Sequence, residues 1–155
     1  MKLDSIDRRL IELLQEDADR QVSVLGAEVG LSTTQCWRRI QRLKDGGVIL
    51  KQVALVDARK LNLGVTVFVC LRAGAHTEDW AKHFAATLRL IPEIVECHRV
   101  SGDVDYLLRV VVPDVDAYDR VYKRLTAGAQ LLDVSAQIVM STVLRSTVLP
   151  VQYAL

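Results

Sequence analysis

The chain has 155 residues, half of them hydrophobic and a quarter charged, with a formal net charge of +1. That hydrophobic share excludes a disordered chain, and the length suffices for one domain or two small ones. No apolar run approaches the roughly 20 residues that a membrane helix needs. The opening MKLDSIDRRL is not a signal peptide, so a cytoplasmic protein with no membrane partner is expected. Cys36, Cys70 and Cys97 are odd in number, widely spaced and set in apolar segments, which suits buried thiols in a reducing compartment better than disulfides or zinc.

Taken in order, Asp4 is placed to cap a helix with Asp7 in its first turn, and Ile6, Leu10, Leu13 and Leu14 give that helix one apolar face. A short helix follows, with Leu25 and Val29 at i, i+4 and Gly30 as its left-handed terminator. Gln21 is a poor N-cap, so this helix is expected to start late or fray. Gly26 is small enough for a second helix to cross closely. Ser32 then caps a helix whose Cys36, Ile40 and Leu43 face inward, leaving Thr33, Thr34, Gln35, Arg38, Arg39 and Arg42 outward. Trp37 is read as half-buried against the first helix in preference to a base or sugar contact. From Thr33 to Lys51 five basic residues face one acid, Asp45. Hydroxyl and amide groups followed by an arginine row suit a DNA major groove, which makes double-stranded DNA the expected partner and Ser32, Thr33, Thr34, Gln35, Arg38, Arg39 and Arg42 the candidate contacts. A solvated charged face is the plainer reading of the same row.

Gly46-Gly47 ends that helix, and Val48–Val56 is β-branched and strand-like; Asp57–Gly64 is a polar connector. Beyond it, strand patterns at 65–73, 94–101, 104–112 and 132–143 alternate with two helices. Thr77 caps the first, with Trp80, Phe84 and Leu88 in register; Pro113-Asp114 opens the second, with Val115, Tyr118, Tyr122 and Leu125 inward. Residues 148–155 are expected to add an edge strand or to cover one. The fold class is α+β: a winged helix-turn-helix domain over 1–50, a linking strand and connector over 51–63, and a ferredoxin-like βαββαβ domain over 64–155 for effector binding and oligomerisation. Strands apolar on both faces imply burial against a second subunit, hence a dimer presenting two recognition helices.

No catalytic or metal site is expected. Cys97 and His98 point to opposite faces of a strand, and His76 and His83 lack a third ligand. There is no phosphate-binding glycine loop, nucleophile elbow or zinc-protease helix.

Three segments, LDSIDRRLIELLQEDAD at Leu3–Asp19, VGLSTTQCWRRIQRLKDGGVI at Val29–Ile49 and ECHRVSGDVDYLLRVVVPD at Glu96–Asp114, resemble the leucine-responsive/asparagine-synthesis (Lrp/AsnC) family of transcriptional regulators. The resemblance implies dimers exchanging linking strands, assembled into tetramers, octamers or larger rings. It also implies a small effector, usually an amino acid, bound in a cleft between neighbouring dimers' regulatory domains; no cofactor is expected. In the third segment Ser101, Gly102, Asp103, Asp105 and Tyr106 suit capture of an amino acid: backbone N–H groups at Gly102 for its carboxylate, an aspartate for its ammonium. A Gly-Asp turn needs no ligand to explain it, and Tyr106 on an apolar strand is more often core. By position in the family's motif, Arg99, Asp105, Val115 and Val139 match effector-response positions. Arg99 and Gln137 stand where leucine-responsive members carry apolar and aromatic residues, which favours a polar or acidic effector over leucine. An architectural DNA-binding protein of the same fold that takes no effector is the alternative.

Overall fold

Asp4 starts the first helix as its side chain dictates. Its carboxylate accepts the Asp7 N–H at 2.8 Å, and the Asp7 carboxylate accepts the Asp4 N–H at 3.2 Å, a reciprocal box that satisfies two otherwise orphaned donors. The computed structural model describes residues 1–154. Helix α1 (Ser5–Glu16) is followed by α2 (Val22–Glu28) and α3 (Thr33–Asp45). Gln21 makes no side-chain cap for α2, in keeping with its chemistry, and Gly30 takes the left-handed φ of +70° that closes the turn. Leu10, Leu13, Leu25, Cys36 and Ile40 form the core of the three helices. A side chain on Gly26 would put its Cβ 2.8 Å from the Leu31 carbonyl oxygen and 3.4 Å from the Cys36 Cβ, so close approach at the turn and at α3 together requires glycine there.

A polar knot pins α1 to α3. Asp7 is fully buried, and a buried carboxylate must be matched by donors. Arg39 Nη1 donates to Asp4 at 2.6 Å and to Asp7 at 2.9 Å; Arg42 Nη2 donates to Asp7 at 2.5 Å. The hydrogen bond from Arg39 holds the Asp4 carboxyl at about 2, well below the usual carboxylate range.

The chain forms two compact units: Met1–Leu55 together with the stretch from Val143, and Val56–Thr142. Among the described residues the helical unit holds no strand, so the expected wing and linking strand are not formed. The Val48 and Ile49 N–H groups donate to the Leu43 carbonyl and the Gln52 side chain to the Ala18 carbonyl, but no strand lies beside residues 48–56, and β-branched composition alone cannot make a ladder. Leu50, Val53 and Leu55 are exposed as a result. Residues from Val143 onward, expected as part of the 64–155 domain, group with the helical unit and not with the sheet. Gln15 exchanges hydrogen bonds with the Leu149 backbone at 2.7 and 3.1 Å, and Arg8 donates to the Ala154 carbonyl at 3.0 Å, beside a single 3-10 turn at Val151–Tyr153.

The second unit carries β1 (Val65–Ala73), α4 (Glu78–Arg89), β2 (Ile94–Arg99), β3 (Tyr106–Val112), α5 (Val115–Gly128) and β4 (Leu131–Ile138). The strand order β2-β3-β1-β4, antiparallel throughout, is the expected ferredoxin-like βαββαβ sheet. Val67, Val69, Leu71, Leu108, Val110 and Val112 bury one face under Phe84, Val121 and Leu125 of the helices. The other face is mixed, not apolar throughout: Val111 is buried and Phe68 about one-third exposed, but Arg109 pairs with Glu96 at 2.5 Å across the neighbouring strand. β4 stops at Ile138 instead of 143, since β1 begins at Val65 and offers no partner beyond the bond from Val139 N–H to the Thr66 carbonyl. The thiols are free but not uniformly buried: Cys36 is, Cys70 is half-buried and Cys97 is exposed.

The knot has an uneven energy scale. Asp7→Ala is expected to cost the helical unit about 3 kcal/mol, through the loss of two charge-assisted hydrogen bonds to the arginines and one half of the capping box. Asp4→Ala, at a half-exposed cap, should cost about 1 kcal/mol. Urea unfolding followed by Trp37 fluorescence in a Trp80→Phe background reads both, and equal losses would show that burial does not set the difference. A carboxyl depressed in the fold stabilises it above the ordinary carboxylate range, and that contribution disappears as pH falls toward about 2. Asp4→Asn should therefore flatten the loss of stability between about pH 4 and pH 2.

Candidate nucleic-acid interface and ligand region

The recognition helix divides its predicted contacts into three groups. Ser32 and Gln35 hold the helix start: Ser32 Oγ accepts the Gln35 N–H at 3.3 Å, and Gln35 Oε1 accepts the Ser32 N–H at 3.1 Å. Their side chains are exposed but committed to the cap. Arg39 and Arg42 form the second group, tied to Asp4 and Asp7 on one flank of α3. Arg42 keeps half its side chain in solvent, so its remaining N–H groups stay available to a phosphate. Thr33, Thr34 and Arg38 form the third. They are exposed, and Arg38 enters none of the ion pairs found among the described residues.

Two features escaped the sequence reading. Asp4 and Asp7 were legible only as helix-start acids, yet their spacing of three matches the spacing of Arg39 and Arg42 on the opposing helix, a cross-helix pattern that composition does not reveal. The second is the half of Trp37, 52% exposed, that the expected half-buried placement leaves in solvent. At about 100° per residue, Trp37 lies a quarter turn or so from core-facing Cys36, on the flank away from the arginine knot.

In the second unit the predicted ligand residues separate into two sets. At one end of the sheet, Arg99 closes β2 opposite Tyr106, and Ser101, Gly102 and Asp103 form an exposed hairpin loop. Gly102 sits at φ +128° with open space where a side chain would be. Asp105 is already engaged: its N–H donates to the Leu71 carbonyl at 2.8 Å, and its carboxylate accepts the Ala73 N–H at 2.8 Å, finishing the end of β1. His76 Nε2 lies 4.0 Å from that carboxylate. Tyr106 is packed against Trp80 and Phe84, with ring centroids 5.8 and 4.9 Å away, which makes it part of the core.

At the other end, Val115 is exposed at the head of α5, and Val139 follows β4. Gln137, on β4 one residue before its end, accepts the Cys70 thiol at 3.7 Å. The length of β3, roughly 20 Å, separates this set from the loop. Register also places Arg99 and Gln137 on opposite edges of the sheet and on opposite faces, so they do not share a pocket within one chain. An open groove of about 560 Å³ between Trp80, His83, Thr126 and Gln130 includes none of these residues. Among the described residues no group of three His, Cys, Asp or Glu side chains is arranged to hold a metal ion, and no helix is long and apolar enough to cross a membrane.

Comparison with known proteins agrees with this geometry. Residues 3–44 match the AsnC-type helix-turn-helix domain, and residues 66–149 match the Lrp/AsnC ligand binding domain. The chain is 44% identical over 149 residues to the glutamate uptake regulatory protein of Zymomonas mobilis, covering 96% of this chain and 91% of that one. It is 39% identical over 151 residues to the DNA-binding transcriptional activator DecR of Escherichia coli, covering 97% and 99%. An AsnC family transcriptional regulator from Agrobacterium tumefaciens superposes with a TM-score of 0.94 at 49% identity, covering 99% of this chain and all of that one. A transcriptional regulator from Neisseria meningitidis, solved in complex with L-Met, does so at 0.92 and 29% identity, covering 98% and 99%. A capped recognition helix on a three-helix core, followed by a βαββαβ sheet, is thus shared along the whole length with DNA-binding regulators, and the chain belongs to the Lrp/AsnC family of transcriptional regulators.

Proposed function

We propose that this regulator binds double-stranded DNA as a homo-oligomer and changes its assembly or DNA affinity when an amino acid binds between copies. The separation of the candidate ligand residues carries this reading. Ser101, Gly102 and Asp103 lie roughly 20 Å from Val115 and Val139, and a free amino acid is far shorter. One ligand meets both sets only if different chains supply them. The exposed apolar side chains of Leu50, Val53 and Leu55, and of Met140, Val143 and Leu144, supply surface for self-association. The Neisseria meningitidis relative was solved with L-Met, and the Zymomonas mobilis relative is named for glutamate uptake. Both support an amino acid as effector here.

Arg99 is exposed beside the loop and enters none of the ion pairs among the described residues, which favours a polar or acidic amino acid over leucine. The effector acts only through a preference for one assembly, since equal affinity for two states shifts neither.

A thermal-shift panel of the twenty amino acids on the full chain, followed by size-exclusion chromatography, tests the effector. A polar or acidic amino acid should give the largest rise, corresponding to about 2.7 kcal/mol at a hundredfold excess over Kd, and should shift the oligomer distribution. Leucine as the best stabiliser would sink the polar-ligand reading, and a flat panel would favour an effector-free architectural protein. On the DNA side, Arg38→Ala should weaken binding by about 1–3 kcal/mol with an unchanged thermal midpoint. Arg39→Ala should instead lower the midpoint, because it uncovers Asp7. Intact binding by Arg38→Ala would mean that this face does not enter the groove.

A further inference from the structure

Trp37 is the one large apolar side chain on the outward side of the recognition helix, and the fold leaves it half in water. It is 52% exposed, and the ring contacts of the chain join Trp80, Phe84 and Tyr106 in the other unit. Cys36, Ile40 and Leu43 complete the inward side of α3 without it. Its neighbours three and four residues away are Thr33, Thr34, Gln41 and the inward Ile40, none of them charged, with the exposed Arg38 next along the helix and Lys44 two turns on. The acids of the knot, Asp4 and Asp7, are engaged on the opposite flank by Arg39 and Arg42. The surface around the indole is therefore suited to an anionic partner that also offers apolar contact.

Duplex DNA has that chemistry in its major groove, where the thymine 5-methyl is the apolar feature of the base edges. The geometry points to Trp37 as a sequence-reading residue whose indole packs on thymine methyl groups while Thr33, Thr34 and Arg38 engage the neighbouring bases or phosphates. This inference rests on the DNA-binding reading and adds what the helix selects: a thymine at the step facing the indole. Removing one methyl contact of this kind is worth about fourfold in affinity.

The test uses the full-length protein to enrich duplexes from a random library, then replaces each thymine of the enriched site by uracil, which removes only the methyl. Wild-type protein should lose about fourfold at one or more thymines in each half-site. In Trp37→Ala the same uracil substitutions should be neutral, and Trp37→Phe should keep part of the effect. The comparison is made within each protein, so a change in folding or overall affinity cancels. Uracil neutral everywhere for the wild type, or equally costly in Trp37→Ala, overturns the assignment. So does a Trp37→Ala variant with altered oligomeric state and an unchanged uracil response, which would assign the ring to a protein contact. If no duplex is enriched at all, sequence-specific DNA binding itself fails, an outcome distinct from enrichment without thymine discrimination.

Discussion

The carboxylate of Asp7 sets the terms for the helical unit. It has no access to water, so it is tolerable only where charged donors reach it, and both donors come from the recognition helix. Sliding or rotating α3 on α1 by one residue would strand the charge. Ion pairs of this sort contribute register more than net stability, because the cost of desolvation offsets much of the attraction. Here the register is that of the helix that must fit a groove. The side chains that face outward are aimed by an interaction on the reverse flank, and Asp4 reinforces it while also capping the helix that carries Asp7.

That same knot changes how the positive charge of α3 should be counted. An arginine row reads as a phosphate-binding stripe when side chains are summed along the sequence. With Arg39 and Arg42 paired to acids, the field in front of the helix is carried more by Arg38 and by Lys44 at the helix end than the row suggests. Both paired guanidiniums retain further donors in a rigid fork, so they remain suited to holding a phosphate at fixed geometry. Their role shifts from attraction toward orientation.

What the sequence made legible follows from how local each signal is. The caps at Asp4 and Ser32 and the left-handed Gly30 depend on neighbours a few residues away, and they appear as expected. The succession of strands and helices along the second unit follows from the alternation of periods two and 3.6, and it too appears. Strand ends were misread where a partner decides them: β4 stops when β1 runs out, and β3 starts only after Asp105 has bonded to Leu71 and Ala73. Residues 48–56 have the composition of a strand and no ladder, because composition does not supply the neighbouring strand that a ladder needs. The arginines were misjudged for a related reason. Burial and pairing belong to the facing surface, which a helical pattern does not describe.

The spread of the candidate ligand residues bears on how such a regulator could be switched. If the loop at Ser101–Asp103 and the positions at Val115 and Val139 must come from different chains to meet one ligand, the site does not exist in an isolated chain. Ligand binding and assembly then become one equilibrium. Each ligand bound stabilises the contact that forms its site, and each contact formed raises the affinity for the ligand, by the same factor in both directions. No hinge or lid within the sheet is needed to transmit the signal. Asp105 fits this arrangement: its carboxylate accepts the Ala73 N–H and its backbone N–H donates to Leu71, which anchors the loop to the end of the sheet. A loop anchored in this way can discriminate between a neighbour that is in place and one that is not. Sensitivity would accordingly depend on protein concentration as well as on the amino acid, which is the behaviour expected of any ligand that prefers one oligomer over another.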